Sequence, residues 1–306
     1  MGMTRREFSL SGTVSIFGLM TGVPPIDFRT RASGENNFDL MKEVNKYRKI
    51  DAYATSNMTL DQIKDQIDFA DRLSIEKMFV GMPMLPIKAT PEEFRSINDK
   101  VIKGVKAYPD RLVGEFTINP TYKKEAIDEI NRCVDNGLVG TRLYNQVKIS
   151  DPLYEPIIEK LSALKMIVFM HGECQLGVGG YRMKYDAGKL TSTSTPEDFV
   201  AAAKKFPDAN FQFAHIGGGG DWECMCKTFE HTPNIYVDTG GSNNEENMID
   251  FALKYLGEDR LFFGTDNSYY QSVGKVLASN LNEGQKRKLF FDNYNALLKK
   301  GGFGVN

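Results

Sequence analysis

Several features that would narrow a function are missing from this chain. Its 38 lysines and arginines nearly balance its 40 aspartates and glutamates, leaving a formal net charge of -2. Without a basic excess there is no electrostatic case for nucleic acid or an anionic membrane as partner. The most apolar run near the start, residues 12–23, falls short of the roughly 20 residues that span a bilayer as a helix, so no stable membrane anchor is expected. The four cysteines, Cys133, Cys174, Cys224 and Cys226, have no zinc-ribbon or zinc-finger spacing. They are expected as small buried hydrophobes, with a disulfide left open in an oxidising compartment. No Gly-x-Gly-x-x-Gly turn follows the first strand, which argues against an open dinucleotide-binding sheet. Histidine is the scarcest chemical resource: only His171, His215 and His231 occur in 306 residues.

What is present begins with Thr4-Arg5-Arg6-Glu7-Phe8-Ser9-Leu10, a pattern that matches a twin-arginine export signal. Residues 1–23 are therefore expected to be a signal, 24–47 a linker with a short helix near its end, and the location periplasmic. From residue 48 onward strand and helix patterns alternate. Strands are expected at 48–53, 77–81, 112–118, 139–144, 166–171, 210–215, 235–238 and 261–266, each followed by a helix. Eight such units fill residues 48–306, close to the ~250 residues of a (β/α)8 TIM barrel, and strict alternation implies a parallel sheet.

In such a barrel the chemistry sits at the C-terminal strand ends. Asn210-Phe-Gln-Phe-Ala-His215 reads as a buried strand that ends in histidine and breaks at once into Gly217-Gly-Gly-Gly220, with Asp221 as the N-cap of the next helix. The other strand ends bring Asp51, Tyr53 and Thr55, then Glu115, Arg142 and Tyr144, then His171 and Glu173, Asp238 and Asp266. His231 lies in a helix-to-strand connection and is expected at the surface. The long loop 172–194 carries Tyr181, Arg182, Lys184 and Tyr185, which could close over an anionic substrate or simply face solvent.

These pieces together resemble the amidohydrolase-related (amidohydrolase-2) branch of the TIM-barrel metal-dependent hydrolases. The matching segments are Ile50-Asp51, Phe169-Met-His171, Phe213-Ala-His215-Ile-Gly-Gly218, Val237-Asp238, Phe263-Gly-Thr-Asp266, the approach Gly137-Leu-Val-Gly140 and the late Asn295-Ala296. The resemblance implies that His171 and Asp266 help hold a divalent metal, zinc or manganese. It implies that His215 is a second ligand or an acid/base, and that Asp266 can take a proton from water. Members hydrolyse C–N or C–O bonds, often in lactones, and some decarboxylate aromatic or unsaturated acids. One departure stands out. The family's strand-one Asp-x-His-x-His is here Asp51-Ala-Tyr53-Ala-Thr55, and a phenol with a pKa near 10 is a poor zinc ligand. Any metal is therefore expected to be held more weakly than in the family.

Three functions remain in play. The first is hydrolysis of a small anionic lactone, ester or amide with little or no tight metal. Asp266 would be general base, His171 and His215 would polarise the carbonyl, and Tyr53, Arg142, Tyr144, Glu173 and Arg182 would contact substrate. The second is a metal-dependent hydrolase or decarboxylase with unusual ligands. The third is a non-catalytic small-molecule-binding barrel. Barrels of this kind often pair, so a homodimer is an open expectation.

Overall fold

The computed structural model describes residues 39–174, 192–241 and 243–306. The chain divides into two compact units, Met1–Leu40 and Met41–Asn306. The expected export signal and most of the linker lie outside the described residues, as do Tyr181, Arg182, Lys184 and Tyr185. The short helix expected late in the linker is present as α1 (Leu40–Asn45). Cys133, Cys224 and Cys226 are free thiols, and Cys133, Cys174 and Cys226 are buried. No described helix is long and apolar enough to cross a membrane.

The second unit is a TIM-barrel-like α/β fold. One parallel sheet runs β1 (Lys49–Thr55), β2 (Ile75–Gly81), β3 (Leu112–Gly114). A second runs β4 (Ile167–His171), β5 (Asn210–Ala214), β6 (Ile235–Asp238), β7 (Leu261–Phe262). Residues 139–144, expected as a full strand, form only parallel bridges, Phe116 with Thr141 and Leu143 with Met170. Those bridges still join the sheets. Arg142 N donates to Phe116 O at 2.8 Å, and Leu143 N donates to Phe169 O at 2.9 Å. On the other side Ala52 N donates to Phe263 O at 2.8 Å, so backbone hydrogen bonds run all the way round.

Local sequence explains the outer layer. The helix α2 (Leu60–Arg72) is capped by Thr59, whose side chain accepts from Gln62 N. The next, α3 (Pro91–Ala107), opens with a Thr90–Glu93 capping box and proline in its first turn. After α4 (Lys123–Asp135), α5 (Glu155–Ala163) and α6 (Pro196–Lys205) comes α7 (Trp222–Phe229), capped as expected by Asp221. The helices α8 (Met248–Leu256), α9 (Tyr269–Ala278) and α10 (Glu283–Arg287) follow, then α11 (Asn293–Lys300). Tyr294 from α11 packs edge-on against Phe79 at 4.7 Å and Phe262 at 4.9 Å, within an apolar cluster that also holds Ile50, Ile167, Phe291 and Leu297.

β7 is shorter than the expected strand at 261–266 because the chain leaves the ladder at Gly264. A Cβ on Gly264 would stand 2.9 Å from the Asp238 carboxylate and 3.1 Å from Tyr53 Cβ. Asp266 and Asn267 then adopt φ of 45° and 65°. Such left-handed backbone is uncommon outside glycine and persists only where neighbours fix it. Here Asp266 N donates to Tyr53 O at 2.8 Å. Asp51 is the brace: its Oδ1 accepts from Thr265 N at 2.9 Å and its Oδ2 from Thr265 Oγ1 at 2.6 Å. Full burial pushes the Asp51 carboxyl up to about 6 despite these donors.

Candidate active site

The end of β5 delivers His215, and its surroundings fix its state. Nδ1 lies 3.0 Å from Asp238 Oδ1 and Nε2 lies 3.4 Å from Asp266 Oδ2. Burial alone would lower its pKa, but Asp238 and then Asp266 outweigh that and raise it to about 9. His215 is thus an imidazolium at neutral pH. Asp238 is held in turn by Gln212 Nε2 at 3.1 Å and by Gly240 N at 3.0 Å. The Gly240–Gly241 backbone passes directly over the ring. A Cβ on Gly240 would come 2.8 Å from Nδ1, and one on Gly241, at φ 76°, would come 2.8 Å from Cδ2.

Asp266 is ionised. Burial would raise its pKa, but the His215 hydrogen bond and charge and the Thr55 hydroxyl hold it below the usual carboxylate range. Thr55 Oγ1 donates to Asp266 Oδ1 at 2.9 Å.

His171 is the opposite of His215. Burial and the nearby His215 charge lower its pKa, so it is neutral. Its Nδ1 lies 2.9 Å from Ala214 O. A carbonyl only accepts, so Nδ1 carries the proton and Nε2 presents a lone pair. A neutral His171 in this tautomer offers an acceptor to the mouth, not the donor that polarising a carbonyl requires. The ring stands 5.7 Å from that of His215 and 6.3 Å from that of Tyr144.

Tyr53 and Tyr144 are both buried phenols with raised pKa values, burial being the main cause for each. Their hydroxyls interact with each other, and the Tyr53 ring meets His215 edge-on at 4.4 Å. Glu173 lies close enough for its charge to act on His171. His231, as expected, is on the surface with its side chain 90 % exposed.

Arg142 lies deeper than its strand-end position suggests. Placed among the substrate contacts by its strand position, it is only 1 % exposed. Its Nε and Nη2 donate to Glu115 Oε2 at 2.9 and 2.5 Å, Nη2 also reaches Phe79 O at 3.2 Å, and Nη1 donates to Thr55 Oγ1 at 3.1 Å. Its donors are taken up by Glu115, Phe79 O and Thr55. Burial raises Glu115 to about 7, even with Arg142 opposing the shift.

The donor set does not fit a tightly held divalent ion. Where the family pattern has two histidines, Tyr53 stays a protonated phenol and the Thr55 hydroxyl is engaged between Arg142 and Asp266. Both nitrogens of His215 face carboxylates. Among the described residues, no group of three or more His, Cys, Asp or Glu side chains is placed to hold a metal.

Sequence reasoning brought His171, His215, Asp266, Tyr53 and Tyr144 to one mouth, and the structure gathers them there. It gave no role to Asp238, Thr55, Glu115 or Gln212. The signal for Asp238 was available: Val237-Asp238 ends the strand next to the one that carries His215.

The structure is a TIM-barrel-like α/β fold in which His215, Asp238 and Asp266 meet at the strand ends. A family model described as Amidohydrolase matches residues 67–293, and the chain belongs to that family, whose members are enzymes. Solved structures with a similar fold include 2,6-dihydroxybenzoate decarboxylase from Rhizobium, at 18% identity over 83% of this chain and 99% of that one, TM-score 0.66. Another is 5-carboxyvanillate decarboxylase from Sphingomonas paucimobilis, at 16% identity over 77% of this chain and 82% of that one, TM-score 0.60. A third is 5-carboxyvanillate decarboxylase from Novosphingobium aromaticivorans, complexed with manganese and 4-hydroxy-3-methoxy-5-nitrobenzoic acid, at 16% identity over 83% and 97%, TM-score 0.62.

Proposed function

We propose that this protein hydrolyses a small lactone or similarly activated ester by acid/base chemistry centred on Asp266 and His215. The observation that carries the reading is the contact itself, Asp266 Oδ2 to His215 Nε2 at 3.4 Å, where the neighbouring charges lower the carboxyl's pKa and raise the imidazole's. Asp266 takes a proton from a water molecule as its oxygen attacks the carbonyl carbon. His171 Nε2 accepts a hydrogen bond from that water's other O–H, which stays with the attacking oxygen, and orients it. When Asp266 gains its proton its hold on His215 weakens, and Nε2–H of His215 turns to the departing oxygen. Tyr53 or Tyr144 donates to the carbonyl oxygen as negative charge develops there. General acid/base groups of this kind each contribute roughly 10²–10⁴-fold in rate. An activated ester suits a site without metal-generated hydroxide. Glu173, and Arg182 in the loop, would contact the remainder of the substrate.

A second reading is decarboxylation of a hydroxylated aromatic acid, favoured by the activities of the structures with similar folds. One experiment separates them. Purified protein is offered a panel of lactones, with acid release followed at constant pH, and a panel of hydroxybenzoates, with carbon dioxide release followed with and without added manganese. Lactone turnover without added metal supports the hydrolase. Carbon dioxide release alone supports the decarboxylase. Export to the periplasm belongs to the same proposal, and fractionation of cells expressing the chain with Arg5 and Arg6 intact or replaced by lysine tests it.

A further inference from the structure

A single run of contacts crosses the mouth. Glu115 binds Arg142 at 2.5 Å, and Arg142 reaches Thr55 at 3.1 Å. Thr55 donates to Asp266 at 2.9 Å, Asp266 faces His215 at 3.4 Å, and His215 meets Asp238 at 3.0 Å. His215 lies between two carboxylates, and Arg142 lies between the Glu115 carboxylate and the Thr55 hydroxyl that leads to Asp266. A merely structural Arg–Glu pair would be complete with Glu115. Here the barrel also makes room for the arginine and aims it. A Cβ on Gly81, at the end of β2, would stand 2.7 Å from Arg142 Nε and 2.8 Å from its Cδ. The guanidinium carbon sits 4.2 Å from the Tyr53 ring centre and 5.1 Å from that of Phe169, flanked by two π faces. Tyr53 and Thr55 are the two positions where the resembling family carries its strand-one histidines.

We infer that Arg142 takes the place of a metal ion in this barrel, a permanently attached cation that positions Asp266 through the Thr55 hydroxyl. Arg142 and Thr55 are positioning residues. Their effect on turnover rests on the hydrolase reading above, whereas the substitution of arginine for an ion does not. The chemistry favours this use of arginine: a guanidinium never loses its proton in a protein, so the charge beside Asp266 needs no loading and survives a chelator.

Two measurements test the inference. In the first, Thr55→Val and Thr55→Ser are compared on a turned-over lactone. Valine keeps the shape and removes the hydroxyl, so kcat should fall about 10- to 100-fold with KM little changed, as expected for one hydrogen bond to a charged group. Serine, which keeps the hydroxyl, should restore most of the rate. Equal activity of the valine and serine variants overturns the relay.

The second measurement needs no substrate, so it stands even if the hydrolase reading fails. Tyr53→His/Thr55→His is titrated with cobalt chloride and followed by its visible d–d absorption. The same pair is then titrated in a background of Glu115→Gln/Arg142→Met, which removes the fixed cation and its partner together. The fourfold variant should bind cobalt at least about tenfold more tightly, since a positive charge a few ångströms from the ion is strongly repulsive in a buried site. Equal affinities, or binding by neither, overturn the inference. Should the fourfold variant fail to melt cooperatively, the Thr55 comparison decides.

Discussion

His215 and Asp238 meet Nδ1 to Oδ1 at 3.0 Å, joining the end of β5 to the end of β6 beneath the Gly240–Gly241 backbone. The Asp238 carboxylate is the main cause of the raised His215 pKa, and burial acts the other way. Asp238→Asn should therefore drop that pKa toward the ordinary histidine range and lower turnover by about 100-fold or more, the usual contribution of a positioned acid. Imidazole NMR reads the first effect directly, because only three histidines need assigning. An unchanged His215 titration would separate Asp238 from the site.

The same pKa has a stability consequence whose sign is fixed. The folded value, about 9, is above the ordinary 6.5, so the folded state binds the proton more tightly than the unfolded chain. The associated stabilisation is complete below about 6.5 and is lost as pH rises through about 9. Wild type should hold a stability advantage over His215→Gln of a few kcal/mol at its largest, fading across that window. Denaturant melts of both proteins from neutral to alkaline pH check this. A constant difference would mean that His215 is not held as a cation.

Buried charge at Arg142 makes Glu115 costly to remove. Glu115→Gln leaves the guanidinium without its counter-ion in a site that is 1 % exposed. The expected loss is about 3–5 kcal/mol, while Glu115→Gln/Arg142→Met together should cost less, because both charges leave at once. Urea unfolding of the single and double variants tests the order.

Gly241 is constrained twice, by a φ of 76° and by the ring beneath it. Gly241→Ala should displace the His215 ring and depress turnover well beyond its effect on melting, since the backbone strain itself is on the order of 1–3 kcal/mol. Activity unaffected by this change would mean that the glycines do not set the ring's position.

The barrel was legible because periodic apolar runs and strand-end histidines are local signals. The helix start at Asp221 was legible for the same reason, its cap being written within a few residues. The bridging segment 139–144 was not, since a lone bridge and a full ladder share one sequence pattern. Nor was the early end of β7, which depends on how close Gly264 comes to Asp238 and Tyr53 in space. At the site, position at a strand end placed Arg142 at the mouth but could not say which way its charge was spent. Its partners are 27 residues away at Glu115 and 87 residues away at Thr55, and nothing local encodes either contact. The tautomer of His171 was not legible either, because it depends on the Ala214 carbonyl of the neighbouring strand.

The most direct measurement is steady-state hydrolysis of a lactone substrate by Asp266→Asn beside wild type, in buffer without added metal. Asparagine keeps the size and the contact with Thr55 but cannot take a proton. A fall in kcat of about 10³-fold or more with KM little changed is the expected result. Undiminished turnover by Asp266→Asn would contradict Asp266 as the base, and with it the proposed chemistry.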